Sequence, residues 1–390
     1  MNEKEKRIFL SLLKSAVLGV ALPENEKADF SYEMLPKFYA LSKKHTISHL
    51  IAVGLEANGF SSKENEFCEK FQKQKFSAFF RQEKINYHFE KQCEVLEKEQ
   101  IPFVPLKGAV IKEFYPESWM RTSSDVDILV KEKDLKKAEN ALKEQLSYTG
   151  ENRAHYHNVS LFSEDGVHLE LHFSIKEAHK NIDVLLEKAW DYAKPKDDGR
   201  YLFTFDNEFF MFYIVSHIYY HFMTGGCGIK SIIDLMLLKE KMPFDEEKLL
   251  EMCEQCGIKQ FYISLIELAN VWFENGEHSE LTLFLEKFIF DGGVFGNTTN
   301  NTKIKSARQN GRIKNFLEKV FLPTHLMLAS YPILKRHIWL LPFCHIARIF
   351  RLVFSGKAVK KVRGEVRANS MVDSSEIDKA GEFLKQLGLK

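Results

Sequence analysis

The stretch Arg121-Thr122-Ser123-Ser124-Asp125-Val126-Asp127-Ile128-Leu129-Val130 decides how this chain reads. A strand repeats every two residues, so Asp125 and Asp127 project from one face with Cα atoms about 6.5–7 Å apart. Adjacent carboxylates repel unless a positive charge stands between them. Oxygen-only ligation suits Mg²⁺ or Mn²⁺. The apolar Ile128-Leu129-Val130 carries the strand inward and leaves the acidic end at the rim of a sheet. At a rim, removing either carboxylate is expected to leave the fold intact. The plainer alternative for an isolated Asp-x-Asp is a solvated turn before a strand.

The flanking sequence favours the metal reading. Upstream, Ile101-Pro102-Phe103-Val104-Pro105-Leu106 reads as a short buried strand, followed directly by Lys107-Gly108. Residues 109–115 then read as a short helix ended by Pro116. A glycine at a strand-to-helix turn lets backbone approach a phosphate, and a helix N-terminus presents free N–H groups. Lys107 and Arg121 add positive charge for triphosphate oxygens, Arg121 as a planar fork. Downstream, Asn158–Phe162 and Val167–Ile175 read as two strands joined by the turn signal Glu164-Asp165-Gly166. In the second strand His168, Glu170 and His172 share one face and Leu169, Leu171 and Phe173 the other. If this strand neighbours the Asp125 strand, Glu170 is a third metal ligand or the base that takes a proton from an acceptor hydroxyl.

The pattern Lys107-Gly108, Tyr115-Pro116, Arg121, Asp125-x-Asp127-Ile-Leu-Val and Glu170-Leu-His172 resembles the bacterial "uncharacterised nucleotidyltransferase" family, within the DNA polymerase β-like superfamily. His217-x-x-x-His221 and Gly228-Ile-Lys-Ser-Ile-Ile-Asp234-Leu are similar to that family's helical part. The resemblance covers roughly residues 35 to 280, most specifically residues 106 to 130. It implies an α+β fold, a small mixed β-sheet core of polymerase β type embedded in a mainly helical chain. It also implies a metal-dependent nucleotidyltransferase that uses Mg²⁺ or Mn²⁺ and an NTP. The catalytic and metal-binding set is then Asp125, Asp127 and Glu170. The nucleotide side is assigned to Lys107, Gly108, Arg121, Ser124 and Asp234, with Lys230 a weaker choice. One departure matters. The superfamily's Gly-Ser turn is replaced here by Lys107-Gly108-Ala109, so the phosphate grip must differ.

The chain has 390 residues, 45% hydrophobic and 28% charged, an ordinary soluble composition with room for more than one domain. Net charge is only +1, yet between Lys303 and Arg367 fifteen Lys/Arg face two acids, Glu318 and Glu365. Six cysteines in so long a chain do not make a disulfide framework. Cys253-Glu-Gln-Cys256 has no second pair at zinc spacing, so both read as helix residues. Ile8–Leu22 superficially resembles a signal peptide, but Lys14 interrupts it and Glu3 and Glu5 spoil the basic region. It reads as an amphipathic first helix. With no uninterrupted transmembrane span, the default location is cytoplasmic.

Four regions are expected. Residues 1–99 are helical, with Ile85, Phe89, Cys93 and Leu96 forming the stripe that delivers the chain into the first strand. Residues 100–195 hold the nucleotidyltransferase core, in which Asp134 caps a helix with the stripe Leu135, Ala138, Leu142 and Leu146. Residues 196–290 form a helical domain completing the nucleotide cleft, and 291–390 a basic helical region. Gly292–Lys314, rich in Asn, Thr and Gly, reads as a linker or mobile loop. His155-Tyr156-His157 reads as a polar edge strand near the site and His217/His221 as satisfied core histidines.

Three functions compete at this stage. The first moves an NMP from an NTP to an acceptor, which is a small molecule, sugar, protein or RNA. The second is a catalytically idle nucleotide-binding protein of the same fold. The third places the function in the basic C-terminal region, as a module for nucleic acid or an anionic surface.

Overall fold

Asn2 opens the chain with a capping box: its side chain accepts the Glu5 N–H at 2.8 Å, and Glu5 accepts the Asn2 N–H at 2.9 Å. The amphipathic helix α1 (Glu3–Leu18) follows, ended by Gly19 at φ 70°. The computed structural model describes residues 1–150, 157–177, 179–196, 200–274, 276–294, 296–308, 324, 327, 331–335, 337–354 and 373–389. Helices α2 (Glu24–Asp29), α3 (Leu35–Lys44), α4 (Ser48–Ala57) and the 33-residue α5 (Glu66–Lys98) complete the first hundred residues. Asn65 caps α5 by accepting the N–H groups of Phe67 and Cys68 at 3.0 and 3.2 Å.

The sheet is built from β1 (Phe103–Pro105), β2 (Asp125–Val130), β3 (Thr149–Gly150), β4 (Asn158–Phe162) and β5 (His168–His172), in the order β1-β2-β5-β4-β3. Only the β2–β5 pair is parallel, with Asp125 opposite His168 and Asp127 opposite Glu170. The small mixed sheet in a helical chain is the α+β architecture expected. The turn after β4 is also as expected: Gly166 takes φ 85°, and Ser163 Oγ accepts the Val167 N–H at 2.8 Å. One sheet face is apolar. Val126, Ile128, Val130, Leu161, Leu169 and Leu171 pack in one core with Ile85, Val95 and Leu96 of α5 and with Ala138 and Leu142 of α7 (Leu135–Leu146). Period-two strands therefore leave Asp125, Asp127, His168, Glu170 and His172 on the opposite face.

Two local expectations change. The segment after β1 is not one helix but a four-residue turn, α6 (Gly108–Ile111), running into a 3₁₀ turn at Lys112–Phe114. Asp134 stands at the start of α7 with αR backbone and makes no side-chain cap, because a 3₁₀ turn at Glu132–Asp134 already leads into the helix.

After the short helix α8 (Lys180–Leu186) and the hairpin β6 (Ala193–Pro195) and β7 (Phe203–Phe205) the chain is helical: α9 (Asn207–Met223), α10 (Ile229–Lys241), α11 (Glu246–Gln255), α12 (Lys259–Phe273) and α13 (Glu280–Gly292). Cys253 and Cys256 are free and buried, and burial pushes their thiols up to about 12 and about 11, which suits packing rather than metal binding. The chain divides into two compact units, one of residues 1–220 with 229–282 and the other of residues 221–228 with 283–390.

In the second unit the expected linker is in part a helix, α14 (Thr298–Arg308). Its polar residues mimic loop composition, but Asn297 accepts the Asn300 N–H at 2.7 Å, and Asn300 donates to Phe288 O at 3.0 Å. Thr302, Ile304 and Ser306 are buried. Close backbone approach explains the glycines nearby: a Cβ on Gly226 would lie 1.9 Å from Gly296 Cα. The last described helices are α15 (Leu341–Phe354) and α16 (Ser374–Gln386). Residues 309–314 of the expected linker, His155-Tyr156, and Lys357, Lys360, Lys361, Arg363 and Arg367 lie outside the described residues. Among the described residues no helix is long and apolar enough to cross a membrane.

Candidate active site

The polar face of the β2–β5 pair gathers its carboxylates by register. Asp125, His168 and Glu170 form one group, and Asp127, Glu170 and His172 a second; within each, the ligand-capable atoms lie within 4.8 Å of one another. Both are groups of residue types that hold divalent ions.

The two aspartates occupy opposite electrostatic surroundings. Asp127 is buried. Lys107 Nζ donates to its Oδ1 at 3.1 Å, and His172 Nε2 lies 2.8 Å from the same oxygen. Burial alone would raise the Asp127 pKa, but the Lys107 charge and the His172 hydrogen bond outweigh it and hold the carboxyl far below its ordinary range. Asp125 is raised by burial and by the charges of Asp127 and Glu170, with Lys107 and a Ser124 hydrogen bond opposing. Glu170 is lowered chiefly by its His172 hydrogen bond, and Asn158 Nδ2 donates to Glu170 Oε2 at 2.8 Å. Burial would lower His172, yet its bonds to Asp127 and Glu170 raise it overall. The described hydrogen bonds of Asp127 end on Oδ1, which leaves Oδ2 for a ligand.

Lys107 reaches Asp127 because β1 and β2 are antiparallel and the Leu106 N–H donates to Asp127 O at 3.0 Å. Its own backbone is unusual. Lys107 takes φ 45° and ψ −116°, a conformation that favours glycine. Gly108, the glycine present, serves a different need: a Cβ there would lie 2.1 Å from Ser123 Oγ. Ser123 is in turn fixed by its N–H donating to Gln82 Oε1 of α5 at 3.1 Å.

Arg121 and Asp234 meet each other. Arg121 Nε donates to both Asp234 oxygens at 2.7 and 2.9 Å, and Arg121 Nη1 to Thr122 O at 2.9 Å. Tyr115 Oη donates to Asp234 Oδ1 at 2.7 Å. Lys230, one turn before Asp234 on α10, donates from Nζ to Thr122 O at 2.9 Å, and burial with the nearby Arg121 charge lowers it to about 7. This buried cluster pins the loop that delivers Ser124 and Asp125 to β2. In the geometry described, Arg121 and Asp234 act on that loop.

The structure thus brings Asp125, Asp127, Glu170 and Lys107 together, with Ser124 bonded to Asp125, Gly108 against Ser123, and Arg121 paired with Asp234. Sequence reading did not single out Asn158, Gln82 or the acceptor role of Asp127 toward His172. Only the last had a signal, the shared face of His168, Glu170 and His172. His217 is paired, its Nδ1 lying 2.7 Å from Glu177 Oε1.

The residues fit a divalent ion on their own chemistry. They supply three carboxylates, and His168 Nε2 and Asn158 Oδ1 are buried without a hydrogen-bond partner. The model of a family described as "Uncharacterised nucleotidyltransferase" matches residues 34–274. No curated protein matches the chain significantly.

Proposed function

The chain belongs to the uncharacterised nucleotidyltransferase family, and from that premise we propose that it moves an NMP from an NTP to an acceptor hydroxyl at the β2–β5 face. In this reaction the acceptor oxygen forms a bond to the α-phosphorus. The bond from that phosphorus to the bridging oxygen breaks, pyrophosphate leaves, and the hydroxyl proton passes to a base. The observation that carries the reading is the parallel register of β2 and β5, which sets Asp127 opposite Glu170 and Asp125 beside them.

Asp125, Asp127 through Oδ2, and Glu170 are the residues to hold a divalent ion. Such an ion supplies charge neutralisation along the triphosphate and makes an acceptor hydroxyl easier to deprotonate. Lys107 fixes Asp127 and contributes positive charge beside the phosphates. Glu170, with Oε2 held by Asn158, keeps Oε1 for the ion or for the acceptor proton. Arg121, through Asp234 and Thr122, holds the Ser123-Ser124 loop in place. Ser124 orients Asp125.

The test is transfer from NTPs labelled at the α-phosphate or the γ-phosphate, incubated with the full chain, a divalent ion and a lysate. The α-label is expected to become attached to an acceptor, the γ-label to leave as pyrophosphate, and Asp125→Asn to abolish transfer. Transfer of the γ-label would make the protein a kinase and overturn the reading. Ion-dependent NTP binding with no transfer would favour the idle nucleotide-binding alternative.

A further inference from the structure

The two metal-capable groups on this face are not equivalent. In the inner group His172 Nε2 is engaged with carboxylates, 2.8 Å from Asp127 Oδ1 and 3.3 Å from Glu170 Oε2. Lys107 Nζ adds a cation to the same Asp127 oxygen at 3.1 Å. A nitrogen whose N–H is donated to two carboxylates has no lone pair for a metal. His172 is thereby committed to its carboxylates, and Asp127 keeps only Oδ2 for a cation.

The outer group is open. Asp125 lies on the solvent side of Asp127, opposite His168 in the strand register. The His168 ring stacks on Phe162, with centroids 4.5 Å apart and planes at 8°. That stacking fixes the ring orientation, and Nε2 is buried with no hydrogen-bond partner. The His168 imidazole offers a ring nitrogen within 4.8 Å of two carboxylate ligands, and its buried Nε2 is an unmet polar group of the kind a cation satisfies.

We propose that the His168 imidazole joins the carboxylates of this face as a nitrogen ligand to the cation, beside Asp125 and Glu170, so that the site prefers a first-row transition-metal ion to Mg²⁺. Mg²⁺ favours an all-oxygen shell, whereas imidazole suits the transition metals. The proposal rests on the reading that a divalent ion serves this face. It adds which ion, and through which side chain.

The experiment measures binding to the full chain without nucleotide. Mn²⁺ is the probe, followed by electron-spin-echo spectroscopy for nitrogen hyperfine modulation, with Mg²⁺ competition for affinity. We expect ¹⁴N modulation from one bound Mn²⁺, replaced by the ¹⁵N pattern when histidine is isotopically labelled, a measurement that needs no variant. His168→Gln is expected to remove the modulation and to reduce a preference of about tenfold for Mn²⁺ over Mg²⁺. His172→Gln should retain the modulation. Absence of nitrogen modulation in the unaltered chain overturns the proposal. So does modulation lost in His172→Gln but kept in His168→Gln, which would place the ion in the inner group. A His168-dependent signal without transfer of α-label would sustain this metal site and defeat the nucleotidyl-transfer reading. Transfer with Mg²⁺ and no nitrogen signal would do the reverse.

Discussion

Asp125 and Asp127 stand two residues apart on one strand, yet their removal should have opposite consequences. Asp127 is buried against Lys107 and His172, so Asp127→Asn leaves the Lys107 ammonium without its anion and the buried His172 with a weaker acceptor. Breaking a buried pair on one side costs about 3–5 kcal/mol. Urea unfolding should show a loss of that size. Asp125 is the carboxylate raised by burial and by its acidic neighbours, and Asp125→Asn should hold or increase stability while transfer disappears. A rim position had been expected for both, but Asp127 is buried and Asp125 half-buried. Glu170→Gln separates two roles. If Glu170 is the base, the rate should fall by about 10²–10⁴-fold with ion binding intact. If it is a ligand, titration should show a loss of ion affinity as well.

The turn between β1 and α6 concentrates conformational strain at the element scale. Lys107 holds a glycine-favouring backbone conformation, and a non-glycine residue there costs on the order of 1–3 kcal/mol. Lys107→Ala and Lys107→Gly both lose the ammonium, but only the first keeps a Cβ on that backbone. The glycine variant is therefore expected to unfold at higher urea, by about 1 kcal/mol, a difference free of the charge effect. Gly108→Ala should be worse than either, because its Cβ would meet Ser123 Oγ at 2.1 Å and displace the loop carrying Asp125. Circular dichroism melts together with α-label transfer check both statements. Lys107 is strained and Gly108 crowded, the reverse of what residue types alone imply.

At the scale of the folded unit that carries the site, His49 of α4 ties the N-terminal helices to the loop before β2, its Nε2 lying 2.8 Å from Met120 O. Burial pushes its pKa down from 6.5 to about 4. The folded state thus favours the neutral ring. Its contribution is present above about pH 6.5 and is lost as the pH falls toward 4, because the unfolded chain takes up the proton first. That loss is on the order of 3 kcal/mol. The unfolding free energy should decline over that window, and His49→Gln should flatten the decline. Measuring the difference between the two proteins removes the opposite trend of His172, whose raised pKa gives stability that fades as pH rises. In the other unit, Lys303 of the basic stretch pairs with Glu376 at 2.8 Å. A function of that stretch in binding nucleic acid or an anionic surface predicts RNA binding that weakens steeply with salt.

Local pattern determined much of this protein. The period of two in Asp125–Val130 and in His168–His172, the turn at Gly166 and the stripe Ile85, Phe89, Cys93 and Leu96 each follow from side chains near in sequence. They announce strands, hairpin, helix and a carboxylate face, because hydrophobic periodicity is a short-range signal. Tertiary structure alone decided which group holds which. Lys107 on Asp127, Arg121 on Asp234 and Asn158 on Glu170 join residues 20, 113 and 12 positions apart. Their side-chain chemistry is the same in any fold. The distances that make Asp127 a fixed anion and leave His168 unpartnered come only from the parallel register of β2 and β5 and the packing of α10 behind the loop.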